Sequence, residues 1–528
     1  MHKEWKILPK KSDGLTEQFL SNRGIGTGQA REEFFKPALE NYQQALEIPG
    51  IKKAQDRIKK AIEKNELIII YGDYDVDGIC ASAILYKALT SIGAKVLPYI
   101  PHREKEGYGL SRLGLESAKQ SGASLVITVD NGIVAIEEAK FAKESGLDLI
   151  ITDHHLPLDE KPQAYSIVHS TKMCGAAVAW CLVCDRIRQD LKKDLLQFVA
   201  VATVCDLIPL VGLGRAYVVE GLKILNQTQN LGFLELIKQS GIESGHIGSY
   251  EIGHIIGPRI NAIGRLEHAI DALRLLCTKD PAKAKSLAKL LNDKNSERQK
   301  LTIDGVEQAK ILVNGNGNKK IYVLDSKNWS PGIIGLIAAR ICEEYYCPAI
   351  AISVGPTHSR GSARSIKGIN IVGLIRECSD LLVGIGGHPG AAGFSILNEN
   401  IPQFRKRLEE LVEKIPKTET TLEIEAEIPV GQLTKSLVKE IEKFEPFGFG
   451  NPRPVLVTRA MRISEIRTVG GGKHLKLKAD GIDAIGFGMG EMEKDLKQGQ
   501  LLDVAYYLEI NKFNGSETLQ LKVKDVLF

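Results

Sequence analysis

Four apolar runs of the kind that form buried strands alternate with helix-like segments in the first third of the chain. The runs lie at residues 67–70, 94–100, 124–130 and 147–153. Strands that are joined by helices run parallel, because each helix carries the chain back to the same edge of the sheet. The sequence therefore predicts an α/β fold built on a doubly wound parallel sheet, and no other feature restricts the fold as strongly.

Acidic and histidine side chains follow three of these predicted strands. They are Asp73, Asp75 and Asp77 after the first strand, Asp130 after the third, and Asp153, His154 and His155 after the fourth. A parallel sheet brings such ends together, and open α/β sheets bind ligands at that edge. A divalent cation relieves the repulsion between clustered carboxylates, and the added imidazoles favour manganese, zinc or iron over calcium. We expect a metal site for hydrolytic phosphoryl chemistry here, and a further apolar stretch leads to a fourth acidic end at Asp206.

Two other interpretations of these acidic residues compete with a metal site. An EF-hand calcium loop starting at Asp73 would need Glu at its twelfth position, where this chain has Ile84. Such a loop also lies between two helices and not after a buried strand. For Asp130 taken alone, a helix cap is an equal alternative. The convergence of three acidic ends on one sheet edge favours the metal site.

Composition limits the class of protein further. A chain of 528 residues suggests three or four domains at about 150 residues each. No apolar run reaches the roughly 18 residues of a membrane span, and the N-terminus is not typical of a signal peptide. Nine scattered cysteines suit the cytoplasm, and the Cys181–Cys184 pair lies in an apolar helix pattern that is typical of buried thiols. The net charge of +4 confines any nucleic-acid contact to local patches.

The order and spacing of the acidic motifs resemble those of the DHH phosphoesterase superfamily. The matching motifs are residues 73–78 (Asp-Tyr-Asp-Val-Asp-Gly), 129–133 (Val-Asp-Asn-Gly-Ile), 153–155 (Asp-His-His) and Asp206. Further segments resemble the single-strand-specific exonucleases of that superfamily, at 174–176, 257–265, 291–299, 329–335, 361–365, 386–393 and 446–452. The resemblance covers roughly residues 50–528 and implies a metal-dependent 5′→3′ exonuclease. Such an enzyme hydrolyses single-stranded DNA to 5′-mononucleotides in DNA repair and recombination.

The resemblance also implies roles for individual residues. Two divalent ions, Mn²⁺ or Mg²⁺, would be held by Asp75, Asp77, Asp130, His154 and Asp206, with Asp73 as an additional ligand. His155 would contact the phosphate, and Asp153 would support the ligands. The other residues expected to bind substrate are Arg259, Asn261, Arg364, Ser365, Gly387, His388, Lys473 and Lys476. The active site is expected in a cleft between the DHH and DHHA1 domains.

Five regions are predicted along the chain. They are an N-terminal arm (1–65), a DHH domain (66–215), a helical connector (216–318), a DHHA1 domain (319–415) and an OB-type β-barrel for single strands (416–528). In the barrel region, Phe444, Phe447 and Phe449 could stack on bases or pack a domain junction, and both interpretations stay open. Ser330 stands where the family generally has histidine, and the segment that ends at Arg215 is looser than the family pattern.

Partners and competing functions follow from the same resemblance. The expected partners are single-stranded DNA, a helicase and a single-strand-binding protein, with no membrane, for a monomeric enzyme. One competing function is a related phosphodiesterase for short oligonucleotides or cyclic dinucleotides. A competing function of another class is a non-catalytic replication or repair scaffold, against which the intact carboxylates and histidines argue.

Overall fold

The computed structural model describes residues 3–26, 28–103, 106–107, 109–243, 245–317, 319–416, 420–513 and 515–528, and only the backbone of residues 316 and 513. The chain divides into two compact units, Met1–Gly257 with Thr421–Phe528 and Pro258–Thr420, which are described separately. Within the described ranges, no helix combines the length and the apolar character that crossing a membrane requires.

The N-terminal region, predicted as an arm, contains one short strand and four helices. They are β1 (Glu4–Ile7), α1 (Leu15–Asn22), α2 (Gln29–Phe35), α3 (Gln43–Leu46) and α4 (Ile51–Glu63). The last helix packs on the edge of the central sheet, where the backbone of Gly50 approaches Ile167 too closely for any larger residue. The region is therefore part of the folded unit from its first strand onward.

The predicted parallel sheet is confirmed at the centre of the first unit. Its strands and helices are β2 (Leu67–Tyr71), α5 (Val76–Ser91), β3 (Lys95–Tyr99), α6 (Arg112–Gln120), β4 (Ala123–Val129), α7 (Ile136–Glu144), β5 (Asp148–Asp153), β6 (Ser166–His169), α8 (Gly175–Val183), α9 (Gln189–Asp194) and α10 (Leu196–Cys205). The strand order is β3-β2-β4-β5-β6, with parallel pairing throughout. Alternate side chains such as Ile69 and Tyr71 pack against α6 and α7, while α5, α8 and α10 pack together. Helices thus cover a doubly wound sheet.

The apolar stretch before Asp206 corrects one expectation. The prediction treats this stretch like the strands that end in acidic residues. In the structure it forms helix α10, and Asp206 is the C-terminal cap of that helix. Every residue from Leu196 to Thr203 is buried. A helix buried on all sides shows no amphipathic period, so its sequence is indistinguishable from that of a buried strand. Three further helices follow in this unit, α11 (Gly212–Leu225), α12 (Leu231–Ser240) and α13 (Ser249–Glu251), and α13 continues into a π-helical turn at Ile252–Ile256.

The second unit combines helices with a mixed sheet. Its elements are α14 (Gly257–Leu266), α15 (Ile270–Cys277), α16 (Pro281–Asn316), β7 (Tyr322–Ser326), α17 (Ile334–Tyr345), β8 (Ala349–Ser353), β9 (His358–Arg364), α18 (Ile371–Arg376), β10 (Leu382–His388), β11 (Ala391–Leu397) and α19 (Ile401–Glu413). The strand order is β10-β11-β9-β8-β7. The long helix α16 was predicted from residue 281 onward, and Asp280 caps its N-terminus.

The C-terminal region of the first unit is the predicted barrel. Its elements are β12 (Thr421–Ile424), β13 (Ala426–Glu427), α20 (Lys435–Glu442), β14 (Leu456–Val469), β15 (His474–Ala479), β16 (Ile482–Gly486), β17 (Leu501–Phe513) and β18 (Ser516–Leu527). Pairing of β14 with both β15 and β17 closes the sheet, which removes the open edges of its long strands. Phe19 and Phe34 of the N-terminal region lie in the same hydrophobic core, and β1 pairs with β12.

Candidate metal centre and nucleic-acid interface

The loops after β2, β4 and β5 lie side by side, because these three strands are neighbours in the sheet. Ligand atoms lie within 4.8 Å of one another in three groups: Asp73, Asp75 and Asp130; Asp77, His154 and Asp206; and Asp130, His154 and His155. All six residues predicted as metal ligands therefore converge. Asp206 reaches the cluster from the end of α10 and not from a strand.

Two helix N-termini orient the carboxylates that follow β2. Asp75 caps α5, and its Oδ1 accepts a hydrogen bond from the Gly78 N–H at 3.0 Å. Both oxygens of Asp77 accept hydrogen bonds at the start of α8, from Gly175 N–H at 2.6 Å and Ala176 N–H at 2.7 Å. The positive end of a helix stabilises such a carboxylate. The role of the Gly175 and Ala176 amides could not be predicted from the sequence, because every residue except proline supplies a backbone N–H.

The backbone at Asp130 is strained. Its φ of 62° lies in the left-handed region, which is costly for a residue other than glycine. Its N–H donates to the Thr152 carbonyl at 3.0 Å, which locks the turn onto β5. A Cβ added at Gly175 would lie 2.7 Å from the Asp130 Cβ, so α8 presses directly against this residue. The position of the Asp130 carboxylate is thus determined from two sides.

Three carboxylates surround one nitrogen of His154. Its Nε2 lies 3.1 Å from Asp130 Oδ1, 3.5 Å from Asp206 Oδ2 and 3.6 Å from Asp77 Oδ2. Asp77 and Asp130 are almost completely buried, and His154 is nearly so. One imidazole nitrogen and three carboxylate oxygens of different residues therefore face the same small volume.

Three atoms of the predicted ligands are buried without a hydrogen-bond partner in the described part of the chain. They are Asp73 Oδ1, Asp130 Oδ1 and His154 Nε2. The last two atoms are close but not aligned as donor and acceptor. Buried polar atoms are nearly always paired, and clustered exceptions indicate an ion or a functional role. This donor set of carboxylates and one imidazole fits Mn²⁺ or Mg²⁺.

Burial shifts the protonation equilibria of the cluster. It raises the pKa of Asp77 to about 7 and that of Asp206 to about 8, and neighbouring carboxylates add to both shifts. The same causes raise the pKa of Asp73 and Asp130 well above the usual value. Burial and the charge of His155 lower the pKa of His154 to about 4, which keeps its imidazole neutral at pH 7. A bound divalent cation would offset the cost of ionising these carboxylates.

Asp153 supports the two histidines that follow it. Its Oδ1 accepts hydrogen bonds from the backbone N–H of His154 at 2.7 Å and from Nδ1 of His155 at 2.8 Å, while Oδ2 accepts from Ile133 N–H at 2.9 Å. Burial opposes charge on His155, but the hydrogen bond and the charge of Asp153 raise its pKa to about 9. Burial likewise works against the Asp153 carboxylate, yet His155 keeps its pKa below the usual value. The pair presents an imidazolium beside the cluster at neutral pH.

In the second unit, four of the residues predicted to bind substrate lie at one end of β9, β11 and β10: Arg364, Ser365, Gly387 and His388. Arg364 and His388 are both level with Ala391 of the intervening strand. The guanidinium of Arg364 donates to Ser362 Oγ at 3.1 Å and to the Ala363 carbonyl at 2.8 Å. These two bonds, both from the same guanidinium nitrogen, fix the position of the side chain.

The turn between β10 and β11 completes this group. The backbone N–H of Ser365 donates to the Gly390 carbonyl at 3.0 Å, and the Gly390 N–H donates to Nδ1 of His388 at 3.3 Å. Gly387 has a φ of 140°, and a Cβ there would lie 2.3 Å from the Ala391 carbonyl oxygen. Only glycine fits this position, so the close approach of the backbone is built into the sequence.

Arg259 and Asn261 lie on α14, also in the second unit. Nε of Arg259 donates to Asn292 of α16 at 3.1 Å, and burial lowers the pKa of Arg259.

Ser330, where histidine was expected, accepts a hydrogen bond from the Gly332 N–H at 3.3 Å. The serine hydroxyl thus supports the turn before α17.

The barrel presents a row of side chains across four strands. The row is Arg467 on β14, Lys476 on β15, Ile485 on β16 and Lys522 on β18. Next to it, Phe487 is 54% exposed, and its ring lies 5.2 Å from that of His474 and 5.5 Å from the Lys522 ammonium group. Cations beside an exposed ring are typical of single-strand binding surfaces. Lys473 is exposed in the turn directly before β15.

The structure adds three residues to the predicted barrel surface: Arg467, Lys522 and Phe487. Their proximity depends on strand register, which the sequence does not reveal. Lys476 is partly covered, because its ammonium group lies 4.0 Å from an Asp483 carboxylate oxygen. Such a weak surface pair leaves the lysine able to exchange partners.

Two of the three phenylalanines before the barrel differ in their surroundings. Phe444 is fully buried and contacts the rings of Phe19, Phe34 and Phe35 at centroid distances of 5.3–5.6 Å. It packs a junction, and the stacking interpretation is wrong for this residue. Phe449 is 59% exposed and stays available for a ligand.

Comparison with known proteins defines the class of protein first. Residues 67–203 match the model of the DHH family, N-terminal domain, and residues 318–414 match the DHHA1 domain. The parallel sheet and its convergent carboxylates are thus those of a DHH phosphoesterase. Residues 424–525 match the RecJ OB domain, which covers the barrel.

Individual relatives then define the family. The chain is 35% identical over 99% of its length to the single-stranded-DNA-specific exonuclease RecJ of Bacillus subtilis, covering 70% of that protein. It is 31% identical to RecJ of Thermus thermophilus, over 94% of this chain and 73% of that one. The crystal structure of Thermus thermophilus RecJ in complex with Mn²⁺ superposes with a TM-score of 0.86 at 29% identity, covering 99% of this chain and 79% of that one. The chain belongs to the RecJ family.

Proposed function

We propose that this chain is a metal-dependent exonuclease that hydrolyses single-stranded DNA from its 5′ end to 5′-mononucleotides in DNA repair and recombination. The main support for metal dependence is the set of buried atoms without hydrogen-bond partners on Asp73, Asp130 and His154. Such a set is stable only around a cation or a proton. Membership of the RecJ family supports the substrate, and the resemblance of the motifs supports the polarity.

Two divalent cations, Mn²⁺ or Mg²⁺, fit the cluster. Asp75, Asp77, Asp130, His154 and Asp206 would hold them, with Asp73 as an additional ligand. Bound there, such ions neutralise a phosphate and lower the pKa of a coordinated water. The structures of Thermus thermophilus RecJ were determined in complex with Mn²⁺ and with Mg²⁺, which supports this choice.

The chain itself orients these groups and binds the phosphate. The α8 N-terminus fixes both oxygens of Asp77, so this ligand does not reorganise during the reaction. The imidazolium of His155, held by Asp153, attracts the scissile phosphodiester and stabilises the charge that develops on it. Arg364, Ser365, Gly387 and His388, with Arg259 and Asn261, would bind the terminal nucleotide, while the Lys473 and Lys476 surface would hold the strand behind it.

The test uses single strands labelled at the 5′ or the 3′ end, with Mn²⁺ or with EDTA. We expect immediate mononucleotide release from the 5′ label, complete loss in EDTA, and a loss of about 100-fold or more in Asp130→Asn. Asp190→Asn, an exposed carboxylate on α9, is the matched control and should retain full activity.

Each competing function has its own signature in this test. Early release from the 3′ label would overturn the polarity. Hydrolysis restricted to dinucleotides would favour the short-oligonucleotide phosphodiesterase. Binding of strands without cleavage under every metal condition would favour the scaffold.

The setting of the enzyme is also part of the proposal. An exonuclease that requires single strands depends on a helicase to open duplexes and shares its substrate with a single-strand-binding protein. A blunt duplex should resist degradation until a helicase is added. We place the enzyme in the cytoplasm, because the nine cysteines are free thiols, as in proteins of a reducing compartment.

A further inference from the structure

Four exposed side chains lie along the surface that leads away from Asp206, and the mechanism above does not use them. Leu207 is 65% exposed, Tyr250 60% and Phe449 59%, and His254 is also exposed. Large apolar side chains this exposed, grouped on one surface, indicate a binding site more often than chance packing. These four residues are called the apolar strip below.

One end of the strip is attached to the metal centre. Leu207 directly follows Asp206 and has a φ of 55°, a left-handed conformation that is strained for leucine. Its N–H donates to the Val204 carbonyl at 3.3 Å, which ends α10 and turns the leucine side chain outward. Strain next to a ligand residue is typical of positions retained for function.

The aromatic pair is held against the same helix end. Tyr250 lies in α13 and His254 lies in the π-helical turn that follows, and their ring centroids are 4.7 Å apart. A Cβ added at Gly257 would lie only 2.4 Å from Cys205 Sγ, so this segment presses on the residue before Asp206. π-Helical turns occur frequently at functional sites. The pair is therefore fixed beside the ligand and is not on a loose loop.

Two hydrogen bonds connect the strip to the loop before the barrel. The N–H of Leu210 donates to the Phe449 carbonyl at 2.7 Å, and the Ser249 hydroxyl donates to the Phe447 carbonyl at 2.5 Å. Leu210 is three residues from Leu207, and Ser249 adjoins Tyr250. These bonds thus join the segments that carry the strip, from the residues after Asp206 to the loop that enters the barrel.

We propose that the apolar strip stacks the bases of the strand between the metal centre and the barrel; this inference rests on the proposed exonuclease function. Phosphates need cations, but the strip offers ring and aliphatic surface, which bases recognise without regard to sequence. A protein partner would also fit exposed apolar residues. The continuity with Asp206 and with the barrel loop favours the substrate strand.

The test measures exonuclease kinetics of the full chain with Mn²⁺ on a long oligothymidylate. We expect Tyr250→Ala and Phe449→Ala each to raise KM about tenfold, with kcat changed less than about twofold. Tyr250→Phe, which retains the ring, should restore the KM of the wild type. Leu234→Ala, on α12 and 38% exposed, is the matched control at an exposed apolar position outside the strip.

Abasic substrates separate stacking from a structural role. Strands with abasic sites a few nucleotides from the 5′ end should raise the wild-type KM and leave that of Tyr250→Ala unchanged, because the stacking is already lost. If the wild type is active and both alanine variants keep its KM, the stacking role of the strip is wrong, and the proposed exonuclease function still stands. Equal effects of abasic sites on wild type and Tyr250→Ala would do the same. A wild type inactive on every strand would overturn the proposed function as well.

Discussion

At the residue scale, the proposed ligands Asp77 and Asp206 are expected to make metal binding depend on pH. Burial and neighbouring carboxylates raise their pKa values to about 7 and about 8 in the folded protein. Protonation of these two carboxyls therefore stabilises the metal-free fold relative to the unfolded chain. This stabilisation is complete below the usual carboxyl pKa of about 4, and it is lost as the pH rises through 7 to 8. A cation must displace these protons, since carboxylate ligands bind metal in their ionised form.

The resulting prediction concerns Mn²⁺ affinity measured by calorimetry without DNA. Between about pH 6 and pH 8, we expect the affinity to rise roughly tenfold per pH unit for each proton displaced. Asp206→Asn should bind more weakly at pH 8 and depend less steeply on pH, because one titrating ligand is gone. An affinity that does not change over this range would show that these carboxyls are already ionised in the metal-free protein.

At the element scale, helix α8 positions Asp77 and Asp130, two of the proposed metal ligands, through backbone contact. Gly175→Ala would place a methyl group within 3 Å of the Asp130 side chain and displace the amides that bind Asp77. We expect a loss of activity of about 100-fold with a normal circular dichroism spectrum. Gly315→Ala is the control: it is helical too, and among the described residues nothing beyond its own stretch of helix lies within 4 Å of the added Cβ. Near-normal activity of Gly175→Ala would mean that α8 shifts without moving the ligands.

The elements also show how far the sequence determines the site. Asp73, Asp130 and His154 could be predicted to converge, because the ends of parallel strands meet at one edge. Asp206 was assigned to the site, but its helix was not recognised, since α10 is buried on every side. The amides of Gly175 and Ala176 were missed, because any residue supplies an N–H and only the need for a small side chain is visible in sequence. The burial of Phe444 could not be predicted either, because it depends on packing against Phe19, which is far away in the sequence.

The barrel row predicts a specific dependence on salt. Each phosphate contact that is lost lowers the slope of log affinity against log salt by about 0.7 for single strands. The double variant Arg467→Ala/Lys522→Ala should therefore reduce the slope by about 1.4, as measured by fluorescence anisotropy in EDTA. Lys140→Ala/Lys143→Ala, two exposed lysines on α7, is the matched control. Equal slopes in the two double variants would exclude the row from the DNA contact.

At the scale of the whole molecule, Arg215 joins three parts of the first unit. From α11 its buried guanidinium donates to the carbonyls of Phe34 at 2.7 Å, Phe444 at 3.0 Å and Glu445 at 2.6 Å. It also lies 4.0 Å from the centre of the Phe34 ring. Burial lowers its pKa to about 10, so it remains charged at neutral pH. The segment that departs from the family pattern thus ends in the residue that ties the N-terminal helices and the barrel to the sheet domain.

Arg215→Met should uncouple these parts. The variant leaves buried carbonyls without donors, at a cost of about 3 kcal/mol. Trp5 lies on the strand that pairs with β12 and donates to Asp525 of the barrel, whereas Trp180 lies in α8 of the sheet domain. With the other tryptophans replaced by phenylalanine, each can report urea unfolding of its own part. We expect coincident transitions in the parent protein and an earlier Trp5 transition in Arg215→Met.

Arg188→Met, whose side chain is 83% exposed in the parent, should leave both transitions unchanged. Coincident transitions in Arg215→Met would mean that the shared core around Phe19 and Phe34 couples the barrel to the sheet without the arginine.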